Sequence, residues 1–218
     1  CSTGPDSMAL VDMLLKIKEK YNLFLIIAHV NHNVRKESFE EADFIEKYCE
    51  DNSLVFESMI IEQYGDDNFH NEARNIRYNF FEDLIRKYNA NYLFTAHHGD
   101  DLIETMLLSL FYEGRLSTFS PKSFLDRTGL TMIRPMIFIK ECDVRSYARD
   151  LPVYESKCPA NDTTKREFVT GVIESVSKEV PDFRKMVFTA LMHPERYNLF
   201  DKFLKQIMVI LIKNHIIY

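Results

Sequence analysis

Short apolar runs alternate with amphipathic segments along the first half of the chain, and this alternation restricts the fold more than any other feature. Residues 23–30 (LFLIIAHV) form a near-continuous apolar run, which is typical of a strand buried on both faces of a parallel sheet. Further strands are predicted at residues 54–61 and 92–96, the second of them short and buried. Residues 6–20 instead carry a helical stripe of Leu10, Met13, Leu14 and Ile17. This order predicts an α/β fold, an open parallel sheet with helices on both faces.

The same periodicity divides the rest of the chain. Further helices are predicted at 38–49, 70–88, 100–112 and 140–149, with a loop at 114–121 and a strand at 130–134. A polar segment at 155–165 precedes C-terminal helices at 166–179, 183–192 and 199–213. We therefore predict a sheet-containing domain at 1–150 and a C-terminal helical segment at 151–218. Because the sequence begins directly before the first helix, we expect the strand ahead of that helix to be missing.

The composition excludes several classes of protein. Of the 218 residues, 46% are hydrophobic and 28% are charged, which is enough apolar material for a buried core. No apolar run reaches the ~20 residues that cross a bilayer, so we expect no membrane partner and interpret 207–212 (IMVILI) as a buried helix end or an interface. The four cysteines lie far apart. Their spacing disfavours a disulfide framework and an all-cysteine zinc site, and it indicates a reducing, cytoplasmic compartment.

The charge pattern bears on the kind of partner. A net charge of −6 disfavours a broad nucleic-acid-binding surface, which usually carries excess positive charge. Basic residues nevertheless recur in the second half of the chain, at Arg115, Lys122, Arg127, Lys157, Lys165 and Arg166. They are compatible with a local basic face and equally with ordinary solvated surface. The oligomeric state stays open, a homodimer included.

A short polar segment directly precedes the first helix. Its small residues let backbone N–H groups approach phosphate oxygens, its hydroxyls add donors, and the helix dipole adds partial positive charge. Asp6 suits a Mg²⁺ ion that bridges phosphates. An ordinary N-cap is the alternative for this segment taken alone. As a phosphate-binding segment it would use Ser2, Thr3, Gly4, Pro5, Asp6 and Ser7.

A second polar segment ends the strand at 23–30. A metal site made of His29 and His32 lacks a carboxylate or cysteine at ligand spacing, which makes it the weaker interpretation. We favour purine recognition by the backbone and the polar side chains of this loop, with Ala28, His29 and Asn31 as the binding residues.

The third segment, 95–105 (TAHHGDDLIET), follows the strand at 92–96 and opens the next helix. Asp101 and Glu104 are three residues apart, so they share a helical face and could hold Mg²⁺ or orient a nucleophile. An acidic first turn that merely complements the helix dipole is the alternative. His97 lies where ligands bind in open parallel sheets, and we take it as a further cofactor-binding candidate.

A fourth segment, 71–78 (NEARNIRY), lies within the helix predicted at 70–88. Arg74 and Tyr78 are four residues apart and share a helical face, with Arg77 beside them. Arginine is suited to bidentate phosphate contact, whereas an exposed, salt-bridged helix is the plain alternative.

Taken in the order in which they occur along the chain, and with their spacing, the four segments resemble the signatures of the PP-loop (N-type ATP pyrophosphatase) family. STGPDS is similar to that family's S-G-G-x-D-S loop, and HVNHNVRKES to its H-V-N-H-x-x-R-x-x-S. NEARNIRYNFF and AHHGDDLIETMLL are similar to its third and fourth signatures. Residues 2–112 resemble the tRNA(Ile)-lysidine synthetase branch, whereas the second half is more similar to the tRNA 2-thiocytidine synthetase branch.

The resemblance implies an adenine nucleotide alpha hydrolase-like fold in which residues 1–150 bind ATP. It also implies Mg²⁺, with Asp6 and Asp101 as metal ligands that form the catalytic set together with Arg74. The implied reaction is adenylation of C2 of a tRNA cytidine with release of pyrophosphate, followed by attack of L-lysine. Attack of sulfur is the alternative within the family, and a nucleotide-binding protein without activity is the alternative outside it.

The sequence departs from the family pattern at three places. Thr3 stands where the family has glycine, which narrows the room for backbone approach to pyrophosphate. Cys158 stands without the paired cysteines that hold a cluster in the thiolating branch, which disfavours thiolation. Lys165 and Arg166 are all that corresponds to the R-N-x-x-R segment of the lysidine branch, which leaves the choice of tRNA open.

Overall fold

The computed structural model describes residues 1–33, 37–62, 69–126, 129–154 and 165–196. Helices and strands alternate through most of these ranges. They are α1 (Pro5–Lys18), β1 (Ile26–Asn31), α2 (Glu37–Asp51), β2 (Val55–Ile60), α3 (Phe69–Tyr88), β3 (Leu93–Phe94), α4 (Gly99–Glu113), β4 (Lys122–Leu125), β5 (Leu130–Ile133), α5 (Glu141–Ala148), α6 (Lys165–Glu179) and α7 (Phe183–Met192), followed by a 3₁₀ turn at Pro194–Arg196.

Parallel strand pairs connected through helices confirm the predicted α/β class. β1 and β2 are parallel from Ile26 opposite Val55 to Asn31 opposite Ile60. β3 is parallel to β5, with Leu93 opposite Met132. The described strands thus form a two-stranded sheet, β1–β2, and a three-stranded sheet in the order β3–β5–β4.

Strand β4 was not predicted, and it makes the second sheet mixed rather than wholly parallel. It pairs antiparallel with β5, with Lys122 opposite Ile133 and Leu125 opposite Leu130. Gly129 has a φ of 66° and donates its N–H to the Leu125 carbonyl at 2.8 Å. A left-handed glycine at this point lets the chain turn back tightly enough for the two short strands to pair.

Helix α1 contributes to two hydrophobic clusters. Met8 and Val11 pack with Ile27 of β1 and with Ile45 and Cys49 of α2. Ala9 and Leu10 pack in a separate cluster with Met136, Val144 and Ala148. The predicted helix is confirmed, and three residues of its predicted stripe, Leu10, Met13 and Leu14, pack in this second cluster. Burial extends beyond the stripe at residues 8–11, whereas Ile17 near the end of the helix is 39% exposed.

Strand β1 is less uniformly buried than its apolar sequence predicts. Ile27, His29 and Asn31 are buried, while the residues between them are half-buried. The strand begins at Ile26, and Phe24 ahead of it is 67% exposed. The buried face of β1 consequently carries two polar side chains towards its carboxyl end.

The chain divides into two compact units, Cys1–Glu174 and Ser175–Tyr218, with the division inside α6. The predicted domain boundary between residues 150 and 151 stays a prediction. Within the described ranges, no helix is both long and apolar enough to span a membrane. The predictions for the helix at 199–213, for most of the polar segment at 155–165, and for Arg127, Lys157 and Cys158 lie outside the described residues.

Candidate functional site

The polar segment 2–7 curves around the amino-terminal end of α1. Gly4 is the N-cap, with φ −71° and ψ 169°, and Pro5 begins the helix. A glycine N-cap has no side chain to accept from the first-turn N–H groups, so these donors are left for an external acceptor. Ser2 and Ser7 close the segment, because their Oγ atoms are 2.8 Å apart and Ser2 N–H donates to Ser7 Oγ at 3.2 Å. This end of the helix has the donor arrangement that binds phosphate.

Asp6, in the first turn of α1, has one unsatisfied carboxylate oxygen. Its Oδ1 is buried and has no hydrogen-bond partner among the described residues, while Oδ2 lies 3.9 Å from His98 Nε2. Burial raises the pKa of Asp6, and the nearby His98 opposes that rise. A carboxylate oxygen left without a donor in this position is a suitable ligand for a hard divalent cation.

The residues present fit Mg²⁺ as part of a metal–phosphate complex. In the part of the chain that the structure describes, no three His, Cys, Asp or Glu side chains converge on one metal position. Mg²⁺ commonly binds proteins through one or two carboxylates and completes its shell with phosphate oxygens and water. Asp6 meets that requirement without an all-protein cage.

Asp101 and His98 form the amino-terminal end of α4. His98 is the N-cap, and its backbone N–H donates to Asp101 Oδ2 at 3.0 Å. The His98 ring is buried, with Nδ1 3.4 Å from the same Asp101 oxygen and Nε2 facing Asp6. The amino-terminal ends of α1 and α4 therefore meet through one imidazole placed between two carboxylates.

Arg166 on α6 contacts both acidic residues that share a face of α4. Its Nη2 donates to Asp101 Oδ1 at 2.6 Å and its Nε donates to Glu104 Oε2 at 2.6 Å. Thr170, one turn later, donates to Glu104 Oε1 at 3.2 Å. Both oxygens of Asp101 are thus engaged, and a metal ion at Asp101 would have to replace one of these hydrogen bonds. The assignment of Asp101 as a metal ligand stays a prediction.

His97 contacts Thr95 and lies beside the ring of Phe119. Its Nδ1 is 2.8 Å from Thr95 Oγ1, and its ring lies 5.0 Å from the ring of Phe119. Burial lowers the pKa of His97, so the neutral imidazole is favoured. Arg134, also buried, has its Cζ 4.7 Å from the centre of the Phe119 ring and donates to the Ser120 carbonyl at 2.7 Å.

The polar residues at the end of β1 contact the neighbouring backbone. The Ala28 carbonyl accepts from the Cys1 nitrogen at 2.5 Å, and His29 Nδ1 is 2.9 Å from the Cys1 carbonyl oxygen. Asn31 donates to the Ser38 carbonyl at 3.1 Å and accepts from Asn33 N–H at 2.7 Å. These contacts shape the loop that leads into α2, and adenine recognition by this loop stays a prediction.

Two further predicted residues have clear surroundings. Arg74 on α3 is exposed and lies 5.2 Å from the centre of the Tyr78 ring, so the predicted pairing of these residues on one helical face is present. Thr3 is buried with a φ of 63°, and its hydroxyl turns towards the backbone of Tyr154.

Sequence reasoning missed His98 as a site residue and the contact made by Arg166. A signal for His98 was present, because an N-cap followed three residues later by an acidic residue is the pattern of a capping box. No comparable signal exists for Arg166, since it is more than 60 positions from its partners along the chain.

The sequence of this chain matches the model of a known family, described as the PP-loop domain, over residues 1–170. The chain belongs to the PP-loop family. Its α/β fold is the one that the resemblance implied.

Three curated relatives of the chain carry the same name. The tRNA(Ile)-lysidine synthase of Mesoplasma florum is 29% identical over 209 residues, which are 94% of this chain and 48% of that protein. The enzyme of the same name from Ureaplasma parvum is 31% identical, over 85% of this chain and 57% of that protein. The one from Bacillus subtilis is 35% identical, over 84% of this chain and 41% of that protein. The chain spans about half the length of these relatives.

A solved structure shares the fold. The U34-tRNA thiolase NcsA from Methanococcus maripaludis, with its [4Fe-4S] cluster, superposes with a TM-score of 0.71 over 93% of this chain and 72% of that one. The sequences are 19% identical, so the likeness concerns the fold alone.

Proposed function

We propose that this chain is the ATP-binding part of an ATP-dependent ligase that modifies tRNA, with the activity of a tRNA(Ile)-lysidine synthase. The observation that carries the proposal is the end of α1, where a glycine-capped helix and the unsatisfied Asp6 Oδ1 lie together. The relatives that match most of the chain support the choice of reaction. The proposed cofactors are ATP and Mg²⁺, and the proposed substrates are tRNA and L-lysine.

In this proposal the phosphates of ATP bind at the segment 2–7 and the first turn of α1. Mg²⁺ bound at Asp6 would neutralise charge on the phosphates and on the departing pyrophosphate. The adenine would lie against Ala28, His29, Asn31 and His97, at the carboxyl ends of β1 and β3. Asp101 and Arg74 complete the proposed catalytic set, Asp101 at the helix end beside Asp6 and Arg74 as an exposed contact for phosphate or tRNA.

The proposed reaction has two steps. The cytidine O2 attacks the α-phosphorus of ATP while the bond from phosphorus to pyrophosphate breaks. The lysine amine nitrogen then attacks C2 and loses a proton, and AMP leaves with the oxygen. No side-chain nucleophile takes part, so the protein contributes positioning and charge neutralisation.

The described cysteines favour lysine over sulfur as the second nucleophile. Cys1 packs against the hydrophobic cluster that contains Cys49 of α2, whereas Cys142 is exposed on α5. Burial raises the pKa of Cys49 to about 11, which keeps its thiol protonated and unreactive. Clusters are normally held by three or four cysteines, and these three are not brought together.

Pyrophosphate exchange tests the proposal directly. The full-length protein is incubated with ATP, labelled pyrophosphate and tRNA, with a sample lacking tRNA as control. Exchange that depends on tRNA is the expected result, and absence of exchange with every cytidine-containing tRNA would refute the enzyme assignment. Mass spectrometry of nucleosides from cells without the protein then identifies the product, and loss of a thiolated cytidine instead of lysidine would refute the lysine branch.

A further inference from the structure

Thr3 has a backbone conformation that its side chain disfavours. Its φ of 63° lies in the left-handed region, and its side chain is fully buried. A β-branched residue is a rare occupant of this region, because its Cβ crowds the following carbonyl group. Something in the surrounding structure must therefore hold Thr3 in place.

The backbone of Tyr154 supplies that restraint. Thr3 Oγ1 lies 3.0 Å from the Tyr154 carbonyl oxygen and 2.6 Å from the Ser2 carbonyl oxygen, so its proton is placed between two acceptors. In the opposite direction, Tyr154 N–H donates to the Thr3 carbonyl at 3.0 Å. The two residues are 151 positions apart along the chain and hold each other from both sides.

Tyr154 is itself anchored to α2. Its hydroxyl donates to the carboxylate of Glu40, and its ring lies 6.0 Å from the ring of Phe44. The residue that restrains Thr3 is therefore itself held against helix α2. Because Thr3 directly precedes the N-cap Gly4, its conformation sets how the chain enters α1.

We propose that Thr3 is a positioning residue of the phosphate-binding segment, and that its hydroxyl holds the left-handed backbone in place through Tyr154. This inference rests on the proposed binding of ATP at the segment 2–7. Glycine adopts positive φ without strain and needs no anchor. In this chain the same left-handed conformation is adopted by a threonine, and the hydrogen bond of its hydroxyl to Tyr154 stabilises that conformation.

Three substitutions at one position separate the effects of the hydroxyl and of the strain. Thr3→Val keeps the shape and the strain but removes the hydroxyl, Thr3→Ser keeps the hydroxyl, and Thr3→Gly removes both the hydroxyl and the strain. The probe is α,β-methylene ATP with Mg²⁺, which cannot release pyrophosphate, and binding to the full-length protein is measured by calorimetry. Thermal unfolding of each variant is recorded alongside.

We expect Thr3→Val to bind the probe about tenfold more weakly, which corresponds to ~1.4 kcal/mol and is within the usual cost of a left-handed residue. Thr3→Ser and Thr3→Gly should bind within about twofold of the wild type. The Tyr154 amide hydrogen should exchange with solvent faster in Thr3→Val than in Thr3→Ser. This exchange rate measures how firmly Tyr154 is held to Thr3, even if a variant is less stable.

Each other pattern of binding overturns the inference. Wild-type affinity in Thr3→Val would show that the hydroxyl is dispensable. Equal weakening of binding in Thr3→Val and Thr3→Gly would show that the hydroxyl contributes to binding in some way other than by holding the left-handed backbone in place. Failure of the wild-type protein itself to bind the probe would overturn the proposed function as well, whereas the first two results leave that function intact.

Discussion

Asp6 and His29 are both held in surroundings that disfavour charge, with different consequences. Burial raises the pKa of Asp6 and lowers the pKa of His29 to about 4. His29 is almost fully buried, and its Nε2 has no partner among the described residues, so the neutral imidazole is favoured. The Asp6 side chain is 35% exposed at a helix end, where a bound cation would favour the charged form.

Replacing Asp6 with Asn should abolish ATP turnover with little loss of stability. Because the raised pKa means that ionisation of Asp6 opposes folding, stability falls as the pH rises through that pKa, and a neutral amide removes this cost at neutral pH. Turnover is measured by pyrophosphate release and stability by urea unfolding. Asp12→Asn, on the same helix but paired with Lys16, is the control and should keep turnover. Normal turnover in a folded Asp6→Asn protein would contradict the phosphate-loop assignment.

Acid should destabilise the protein partly through His29. The unfolded chain binds a proton at His29 near the ordinary pKa of 6.5, whereas the folded protein does so only near 4, so stability is lost as the pH falls through this window. Over the whole window the loss is on the order of 3 kcal/mol. We expect His29→Gln to flatten the dependence of the free energy of unfolding on pH between 6.5 and 4. An unchanged slope in His29→Gln would refute this account.

Helices α4 and α6 contact each other through charged side chains next to the candidate site. Asp101 and Glu104 lie on one face of α4, as their spacing predicted, and Arg166 of α6 contacts both. Each carboxylate side chain is 17% exposed, so the pair would be poorly solvated without a counterion. Arg166, one of the basic residues noted in the sequence, therefore balances the negative charge of Asp101 and Glu104.

Removing the guanidinium should destabilise the protein and add repulsion near the phosphates. We expect Arg166→Ala to lower the free energy of unfolding by about 1 kcal/mol, a value kept small because the Arg166 side chain is 51% exposed. ATP should bind more weakly, since two uncompensated carboxylates then lie at the helix end beside Asp6. Arg86→Ala, which breaks the exposed pair with Glu82 on α3, is the control and should leave ATP affinity unchanged. Unaltered ATP affinity in Arg166→Ala would show that this ion pair acts only in folding.

Across the whole molecule, α1 is the element on which the site depends. It takes part in the cluster with β1 and α2 and in the cluster with α5, and its amino-terminal end lies beside that of α4. The two helix ends thereby bring Asp6, His98 and Asp101 together. Helix amino-terminal ends are suited to binding phosphate groups.

The choice between lysine and sulfur is tested on the whole protein. We expect purified protein to lack the visible absorbance of an iron–sulfur centre, and Cys158→Ser to keep most of the product formation, because a single cysteine provides one ligand where a cluster needs several. Iron content and nucleoside mass spectrometry check both expectations, with Cys142→Ser as the control for an exposed cysteine. A brown protein, or a folded Cys158→Ser variant that binds ATP but forms no product, would move the assignment to thiolation.

Local sequence determined the elements of this protein, because helical and strand periodicity depend on neighbours a few residues apart. It likewise predicted residues 2–7 as a candidate phosphate-binding segment, because these residues are consecutive in the chain. Tertiary structure alone decided what surrounds them. The packing of distant elements decides the antiparallel pairing of β4 and the burial of residues 8–11 of α1. It also decides the position of the His98 imidazole between Asp6 and Asp101, the hydrogen bonds between Tyr154 and Thr3, and the contact of Arg166 with α4. A pattern read over one or two turns carries no record of such distant partners.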